Sequence, residues 1–401
     1  MRIRLRGWMV PHGASEGSGG SRGFAGNPAS CCRRRTASAK TAWKLKIAWV
    51  GRTFGPLSHS ADPLLDRRAL TRALGGILAG LAVAPRAVAQ PTARAPQPQD
   101  SKSTAAPTRV ASYVARKPAP ATQVQTSSAD RGINPCMTPD PGFGVYGKWE
   151  GGIGMGQFIA PVRGGLTPRG DFDLMVHFHG HEPVRKEWVQ VMDGAVLVGI
   201  DLGIGSGAYE EAFQAPDVFP RLITAVERAV AKRSGRKAAR VRRLGLSSWS
   251  AGYGAVQHIL MQKYAKERVD TVVLLDGLHC GYSGAAINGQ PIFMFTEFAK
   301  RAAAGETLMF VSHSSIIPPG YASTTETADY LVHEVGGKLR DVRGAGPMGM
   351  TMITRYSKGN FHVRGFSGND KMDHCAQIGE FRDVLRVHVK PRWNSPRGQA
   401  A

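Results

Sequence analysis

Residues 243–256 read Arg-Leu-Gly-Leu-Ser-Ser-Trp-Ser-Ala-Gly-Tyr-Gly-Ala-Val. The apolar beginning of this stretch predicts a buried strand, and the residues from Gly252 onward predict a helix. Ser250 falls at the turn between the two. A turn this tight needs small neighbours, because strand and helix must pack closely, and Ser248 and Gly252 provide them. The pattern predicts a strand, a turn with Ser250 at its apex, and a helix.

The same alternation of strand and helix recurs along the chain. Apolar runs predict strands at 155–160, 172–178, 195–202, 241–246, 269–275, 307–311, 350–355 and 361–366. Helices are predicted at 183–192, 216–234, 252–266, 290–304, 324–335 and 374–388. Short links between alternating elements predict an α/β fold, a doubly wound and mostly parallel sheet with helices on both faces. In such a sheet, ligands bind at the carboxyl ends of the strands.

Residues 248–252, Ser-Trp-Ser-Ala-Gly, resemble the G-x-S-x-G nucleophile elbow of the α/β-hydrolase superfamily, with Ser248 in place of the first glycine. The resemblance covers most of residues 136–401 and singles out no family within the superfamily. It implies the α/β-hydrolase fold, ester hydrolysis with Ser250 as the nucleophile, and the backbone N–H of Ala251 as an oxyanion donor. No cofactor is implied. Peptide or amide hydrolysis stays open, because a fold does not fix a substrate.

The residues after the predicted strand at 172–178 have two interpretations. In lipases and esterases of the superfamily, a His-Gly after such a strand supplies the second oxyanion N–H, so the resemblance implies this role for Gly180 and the backbone of His181. His177, His179 and His181 also alternate, and imidazoles on one face of a strand can bind zinc. Because His181 lies beyond Gly180, where the strand has ended, the oxyanion loop is favoured. A metal-dependent hydrolase remains the alternative.

The superfamily order of serine, acid and histidine implies a base near the C-terminus. His374 lies where a polar loop meets the last predicted helix, and it is therefore the predicted base. His362 lies inside a predicted strand and is the lesser candidate. Asp373 is expected to cap the last helix.

The acid is expected at the end of a strand. The strand at 307–311 is followed by no carboxylate until Glu326, whereas Asp276 comes directly after the strand at 269–275. Some lipases of the superfamily carry the acid at this second place, so Asp276 is the predicted acid, with Glu326 and Asp329 as alternatives. This uncertainty also leaves room for an inactive, hydrolase-like binding protein at the cell surface.

The N-terminal part of the chain predicts export to the periplasm or the medium. Residues 67–89 combine a twin-arginine-like pair, a short apolar run and a small-residue cleavage site, in the order of a bacterial signal peptide. Residues 1–66 are expected to come from a start site placed too far upstream, or to be a disordered extension. Residues 90–132, rich in Pro, Ala, Ser and Thr, predict a disordered linker to a catalytic domain at 133–401. No transmembrane segment is expected in the mature chain.

Three of the five cysteines follow the predicted cleavage site. Cys280 comes four residues after Asp276, and Cys375 directly follows His374. If Asp276 bonds to His374, the two thiols are close together, and this predicts a Cys280–Cys375 disulfide. Cys136 would then be free, or would be the true partner of one of them.

The formal net charge of +22 is spread unevenly, with +12 in residues 1–89 and +10 in residues 90–401. The second value is a moderate bias, and no nucleic-acid-binding module or aromatic interleaving accompanies it, so a nucleic-acid partner is not expected. A basic cluster at 232–243 is either a solvated helix end or a surface for an anionic envelope polymer. The other expected partner is a small-molecule or polymer-linked ester substrate.

Overall fold

The computed structural model describes residues 113–119, 132 and 134–395. The predicted extension at 1–66 and signal peptide at 67–89 lie outside the described residues, as does most of the predicted linker. The main strands are β1 (Gln157–Ile159), β2 (Asp171–Phe178), β3 (Val196–Ile200), β4 (Arg240–Trp249), β5 (Val269–Leu275), β8 (Leu308–His313), β9 (Arg340–Ala345), β10 (Thr351–Lys358) and β11 (Phe361–Phe366). A small hairpin consists of β6 (Tyr282–Ser283) and β7 (Ala286–Ile287).

The nine main strands form one sheet in the order β1-β3-β2-β4-β5-β8-β11-β10-β9. The six strands from β3 to β11 in this order pair in parallel, whereas β1 joins antiparallel at one edge and β10 and β9 at the other. Within the parallel core, β3 lies on one side of β2, and β4, β5, β8 and β11 follow in turn on its other side, so the predicted doubly wound, mostly parallel sheet is confirmed. The edge strands are a three-residue strand, β1, and an exposed strand, β9, with Arg340, Asp341 and Arg343.

Helices cover both faces of the sheet. They are α1 (His181–Trp188), α2 (Gly207–Gln214), α3 (Val218–Arg233), α4 (Tyr253–Met261), α5 (Lys263–Arg268), α6 (Phe293–Ala303), α7 (Thr324–Glu334), α8 (Lys371–Ala376), α9 (Glu380–Val384) and α10 (Lys390–Asn394). Alternate residues of β5 point to opposite sides. Val272 and Leu274 join the core under α3, α4, α6 and α7, and Val273 and Leu275 join the core under α1 and α9. Burial on both faces explains why this strand is continuously apolar from Val272 to Leu275.

Several boundaries differ from the sequence-based predictions, and two of them affect the site. β4 extends to Trp249, so the turn at Ser250 follows the strand directly. The last helical region begins at Lys371, and its cap is Asp370, whose side chain accepts the backbone N–H of Asp373. The prediction that Asp373 caps this helix was therefore wrong by one turn. Helix α2 and strand β9 were not predicted, since neither has a clear apolar period.

Residues 113–119 lie within the predicted linker, and they contact helix α7. Ala115 is buried, Tyr113 donates a hydrogen bond to Asp329, and Lys117 pairs with Glu326. Composition alone gave no sign of this contact, because these seven residues lack an apolar period. No helix in the described part of the chain is both long enough and apolar enough to cross a bilayer.

Candidate active site

The carboxyl ends of β2, β4 and β5 carry three residues in strained backbone conformations. His179, Ser250 and Asp276 have φ angles of 70°, 49° and 45°, and they are three of the four non-glycine residues with positive φ in the described part of the chain. Such conformations cost free energy and persist where the surroundings enforce them, which is common at functional sites. The three residues follow strands that are adjacent in the sheet. The strain therefore clusters at one edge, around Ser250.

Close backbone contacts enforce the turn at Ser250. A Cβ atom at Gly252 would lie 2.2 Å from the carbonyl oxygen of Phe178, at the end of β2. A Cβ atom at Gly277 would lie 2.3 Å from the carbonyl oxygen of Ser250 itself. Side chains cannot be accommodated at such distances, so glycine at both positions lets the loops after β2 and β5 press against the turn.

Asp276 and His374 form a hydrogen-bonded pair beside this turn. His374 Nδ1 donates to Asp276 Oδ2 at 2.7 Å, while Oδ1 accepts from the Thr324 hydroxyl at 2.6 Å and the Ser314 N–H at 2.8 Å. Burial alone would raise the pKa of Asp276, but the hydrogen bonds from His374, Thr324 and Ser314 outweigh it and lower the pKa to about 2. The carboxylate is thus ionised at neutral pH and fixes Nδ1 of His374 as the protonated nitrogen, which leaves Nε2 free to accept a proton.

The two alternative acids, Glu326 and Asp329, are bonded to other residues than His374. Glu326 caps helix α7 through Ser323 and also accepts from Lys117 and the Tyr282 hydroxyl. Asp329 accepts from Tyr113 and from the backbone N–H of Arg116. Both carboxylates therefore hold residues 113–119 against α7, and neither has a hydrogen bond to His374.

Two helix beginnings supply backbone N–H groups near Ser250. Ala251 lies in the first turn after β4, and His181 is the first residue of α1, so their N–H groups have no acceptor within their helices. Gly180 brings the two loops together, since a Cβ atom there would lie 2.8 Å from the Trp249 ring. Such N–H groups at helix N-termini can bind an oxyanion.

Asp201 organises this loop, and sequence reasoning missed it. It accepts the Gly180 N–H at 2.7 Å and His181 Nδ1–H at 2.6 Å. Burial opposes ionisation of Asp201, yet the contact with His181 prevails and its pKa is lowered. The available signal was its position, because Asp201 directly follows the buried strand β3 at the same sheet edge.

The three histidines of the metal hypothesis are engaged separately. His177 is buried, with its ring nitrogens 2.9 Å from the Ser247 hydroxyl and 2.7 Å from the His179 carbonyl oxygen. Burial lowers the pKa of His177 to about 3. His179 contacts Tyr209, and His181 contacts Asp201. Among the residues that the structure describes, no group of three or more His, Cys, Asp or Glu side chains is arranged to hold a metal ion.

The predicted Cys280–Cys375 disulfide was wrong. Cys375 bonds to Cys136, and Cys280 is a buried free thiol whose pKa burial raises to about 12. Asp276 and His374 do meet, as the prediction required. Successive residues of a helix, however, point about 100° apart, so Cys375 faces the segment around Cys136 whereas His374 faces Asp276.

The basic cluster at 232–243 is partly neutralised. Arg233 pairs with Glu150 and Arg242 pairs with Asp173, while Arg236 donates to the carbonyl oxygen of Pro168. Lys232 and Lys237 are exposed. This surface is therefore less positive than the sequence alone indicates.

No protein-family model matches the sequence. Among solved structures, the chain is similar to an uncharacterised protein from Capnocytophaga ochracea, at 13% identity over 61% of this chain and 62% of that chain, with a TM-score of 0.34. It is also similar to a cold-adapted esterase from an Arctic intertidal metagenomic library, at 14% identity over 58% and 86%, with a TM-score of 0.32. A third is the siderophore hydrolase EstB from Aspergillus nidulans, at 11% identity over 65% and 100%, with a TM-score of 0.35. The chain thus spans less than two thirds of the Capnocytophaga protein, and at these TM-scores none of the three carries weight.

The fold is assigned from the chain's own topology. The parallel core has strand order β3-β2-β4-β5-β8-β11, and a strained serine turn joins the central strand β4 to a helix. Asp276, directly after β5, and His374, within α8, meet beside that turn. The described part of the chain therefore has the α/β-hydrolase fold.

Proposed function

We propose that this protein is a serine hydrolase that cleaves carboxylic esters. The observation that carries the proposal is the hydrogen-bonded pair of Asp276 and His374 beside the strained turn at Ser250. In this proposal Ser250 is the nucleophile, His374 is the general base and acid, and Asp276 orients the imidazole. The N–H groups of Ala251 and His181 bind the oxyanion.

The reaction proceeds in two halves. Ser250 Oγ forms a bond to the ester carbonyl carbon and gives its proton to His374 Nε2, and the carbonyl oxygen becomes the oxyanion. The bond to the alcohol oxygen then breaks, and the alcohol leaves with the proton from His374. Water, deprotonated by His374, attacks the acyl-serine in the same way, so that the acid product leaves and Ser250 regains its proton.

The rim of the site favours an apolar substrate. Ile204 follows β3 and Ile317 follows β8, and both side chains are largely exposed. Each of these strands lies two places from β4 in the sheet, which is about 10 Å at the usual strand spacing. Both isoleucines follow strands that end at the same edge of the sheet as β4, and we propose that they contact the acyl or alcohol chain.

We also propose that the enzyme acts outside the cytoplasm. The Cys136–Cys375 disulfide is compatible with an oxidising compartment, and the export signal predicted at 67–89 agrees with it. The separately engaged histidines give no support to the alternative of a metal-dependent hydrolase.

Labelling with a fluorophosphonate probe tests the proposal. We expect the purified wild-type protein to be labelled, Ser250→Ala to be unlabelled, and a chelator to have no effect. Hydrolysis of a soluble ester should follow the same pattern. A folded wild-type protein that resists the probe would refute the triad and favour an inactive, binding role, whereas chelator-sensitive ester hydrolysis would favour a metal mechanism.

A further inference from the structure

The Trp249 side chain contacts two imidazoles, an arrangement that the proposed triad alone does not explain. Its ring stacks on His179 with centroids 5.1 Å apart and planes 19° apart. It also contacts the His374 ring, with centroids 4.8 Å apart and planes 31° apart. The indole N–H donates to the backbone carbonyl of His374 at 3.0 Å. Trp249 thus contacts both the ring and the backbone of the proposed base.

Trp249 also touches the other parts of the site. It directly precedes Ser250, and its ring fills the space that a Cβ atom at Gly180 would need. Trp249 therefore contacts the turn at Ser250, the loop at Gly180 and the proposed base His374. Its hydrogen-bonding N–H is satisfied within the protein, so the indole is held in place rather than directed at a ligand.

We propose, on the basis of the function proposed above, that Trp249 is a positioning residue that fixes the His374 imidazole and stabilises its protonated form during acyl transfer. An imidazolium over an aromatic face is favoured by the electrostatics of the ring. During each half-reaction His374 carries the serine or water proton, so it is cationic when this contact matters. If the His374 imidazole is displaced, the rate falls steeply, because proton transfer depends on the distance and angle between donor and acceptor.

The groups around His374 are consistent with this role. Asp276 bonds to it from the end of β5, His279 in the following loop is close enough to interact with it electrostatically, and His179 stacks on the indole. Burial lowers the pKa of His179, and the charge of His374 lowers it further, although Asp201 opposes this. Burial likewise lowers the pKa of His279. Burial thus disfavours a positive charge on both neighbours.

Two substitutions separate positioning from simple packing. Trp249→Phe keeps an aromatic face, and Trp249→Leu keeps only an apolar side chain. We expect Trp249→Phe to retain kcat/KM for a soluble ester within about 5-fold, and Trp249→Leu to lose about 10- to 100-fold. The acidic limb of the pH profile should also move down by about half a pH unit in Trp249→Leu, since the imidazolium has lost its partner. The proposal would be overturned if the two variants had equal kcat/KM and pH profiles with the same acidic midpoint.

Fluorescence provides a test that needs no catalysis. The emission of wild type minus that of Trp249→Phe isolates Trp249, and a protonated imidazole in contact quenches indole emission. We expect this difference signal to fall on acidification with the midpoint of the acidic limb, and to lose its pH dependence in His374→Gln. A signal that is independent of pH, or unchanged in His374→Gln, would refute the contact. A normal titration in a protein without probe labelling would refute the proposed function alone.

Discussion

At the scale of single residues, the identity of the acid can be tested directly. Asp276→Asn should lower kcat by about 10³- to 10⁴-fold, because an amide cannot hold the productive tautomer of His374 or stabilise its positive charge. Glu326→Gln and Asp329→Asn are the matched controls, and they should change kcat by no more than about 3-fold, since both carboxylates bind residues 113–119. Steady-state kinetics on a soluble ester show which of the three carboxylates acts as the acid, and thermal unfolding verifies that each variant is folded. A larger loss in either control would transfer the acid role to that residue.

At the scale of elements, the disulfide connects the chain before β1 to helix α8, which carries His374. Cys136→Ser should lower the free energy of unfolding by about 2–5 kcal/mol, because the closed loop is long, and should lower kcat as α8 loses its attachment. Cys280→Ala, which breaks no crosslink, should cost less, about 1 kcal/mol. Urea unfolding of both variants measures the difference. Alkylation of the unreduced, denatured protein should modify Cys280 and spare Cys375; modification of Cys375 would contradict the pairing.

Some features of the fold and of the site could be predicted from the sequence, and others could not. The strands at 269–275 and 361–366 have the predicted bounds, because the first has an apolar run at 272–275 and the second alternates apolar and polar residues at 361–364. The pairing of Cys136 with Cys375 spans 239 residues. The roles of Trp249 and Asp201 depend on which strand ends lie side by side. Contacts of this kind depend on the tertiary arrangement, and no local hydrophobic period in the sequence indicates them.

At the scale of the whole molecule, neutral histidines should make the protein sensitive to acid. Burial lowers the pKa of His177 to about 3 and those of His313, His362 and His388 to about 4. The unfolded chain binds these protons near pH 6.5, so stability is lost as the pH falls from about 6.5 to 4. Each fully buried histidine contributes up to about 1.4 kcal/mol per pH unit. Glu380 has the opposite effect on stability. Burial raises its pKa to about 7, so the folded chain binds this one proton before the unfolded chain does as the pH falls.

Urea unfolding at pH 7, 6 and 5 measures this effect. We expect the free energy of unfolding to fall at each step, and the slope to decrease in His313→Gln, which removes one buried imidazole. A stability that stays constant from pH 7 to 5 would contradict the prediction. The loss attributable to Asp276 belongs to a lower range, between its unfolded pKa of about 4 and its folded pKa of about 2.

The two edges of the sheet have a consequence for how the protein behaves in crowded or concentrated solution. An unpaired strand edge invites another chain to add a strand, which is a common route to aggregation. Here β1 has only three residues, and its Phe158 already exchanges backbone hydrogen bonds with Glu150, while β9 presents Arg340, Asp341 and Arg343. Charged and shortened edges discourage such addition. The sheet thus ends in two barriers to fibril growth, a useful property for a protein that we propose to act outside the cytoplasm.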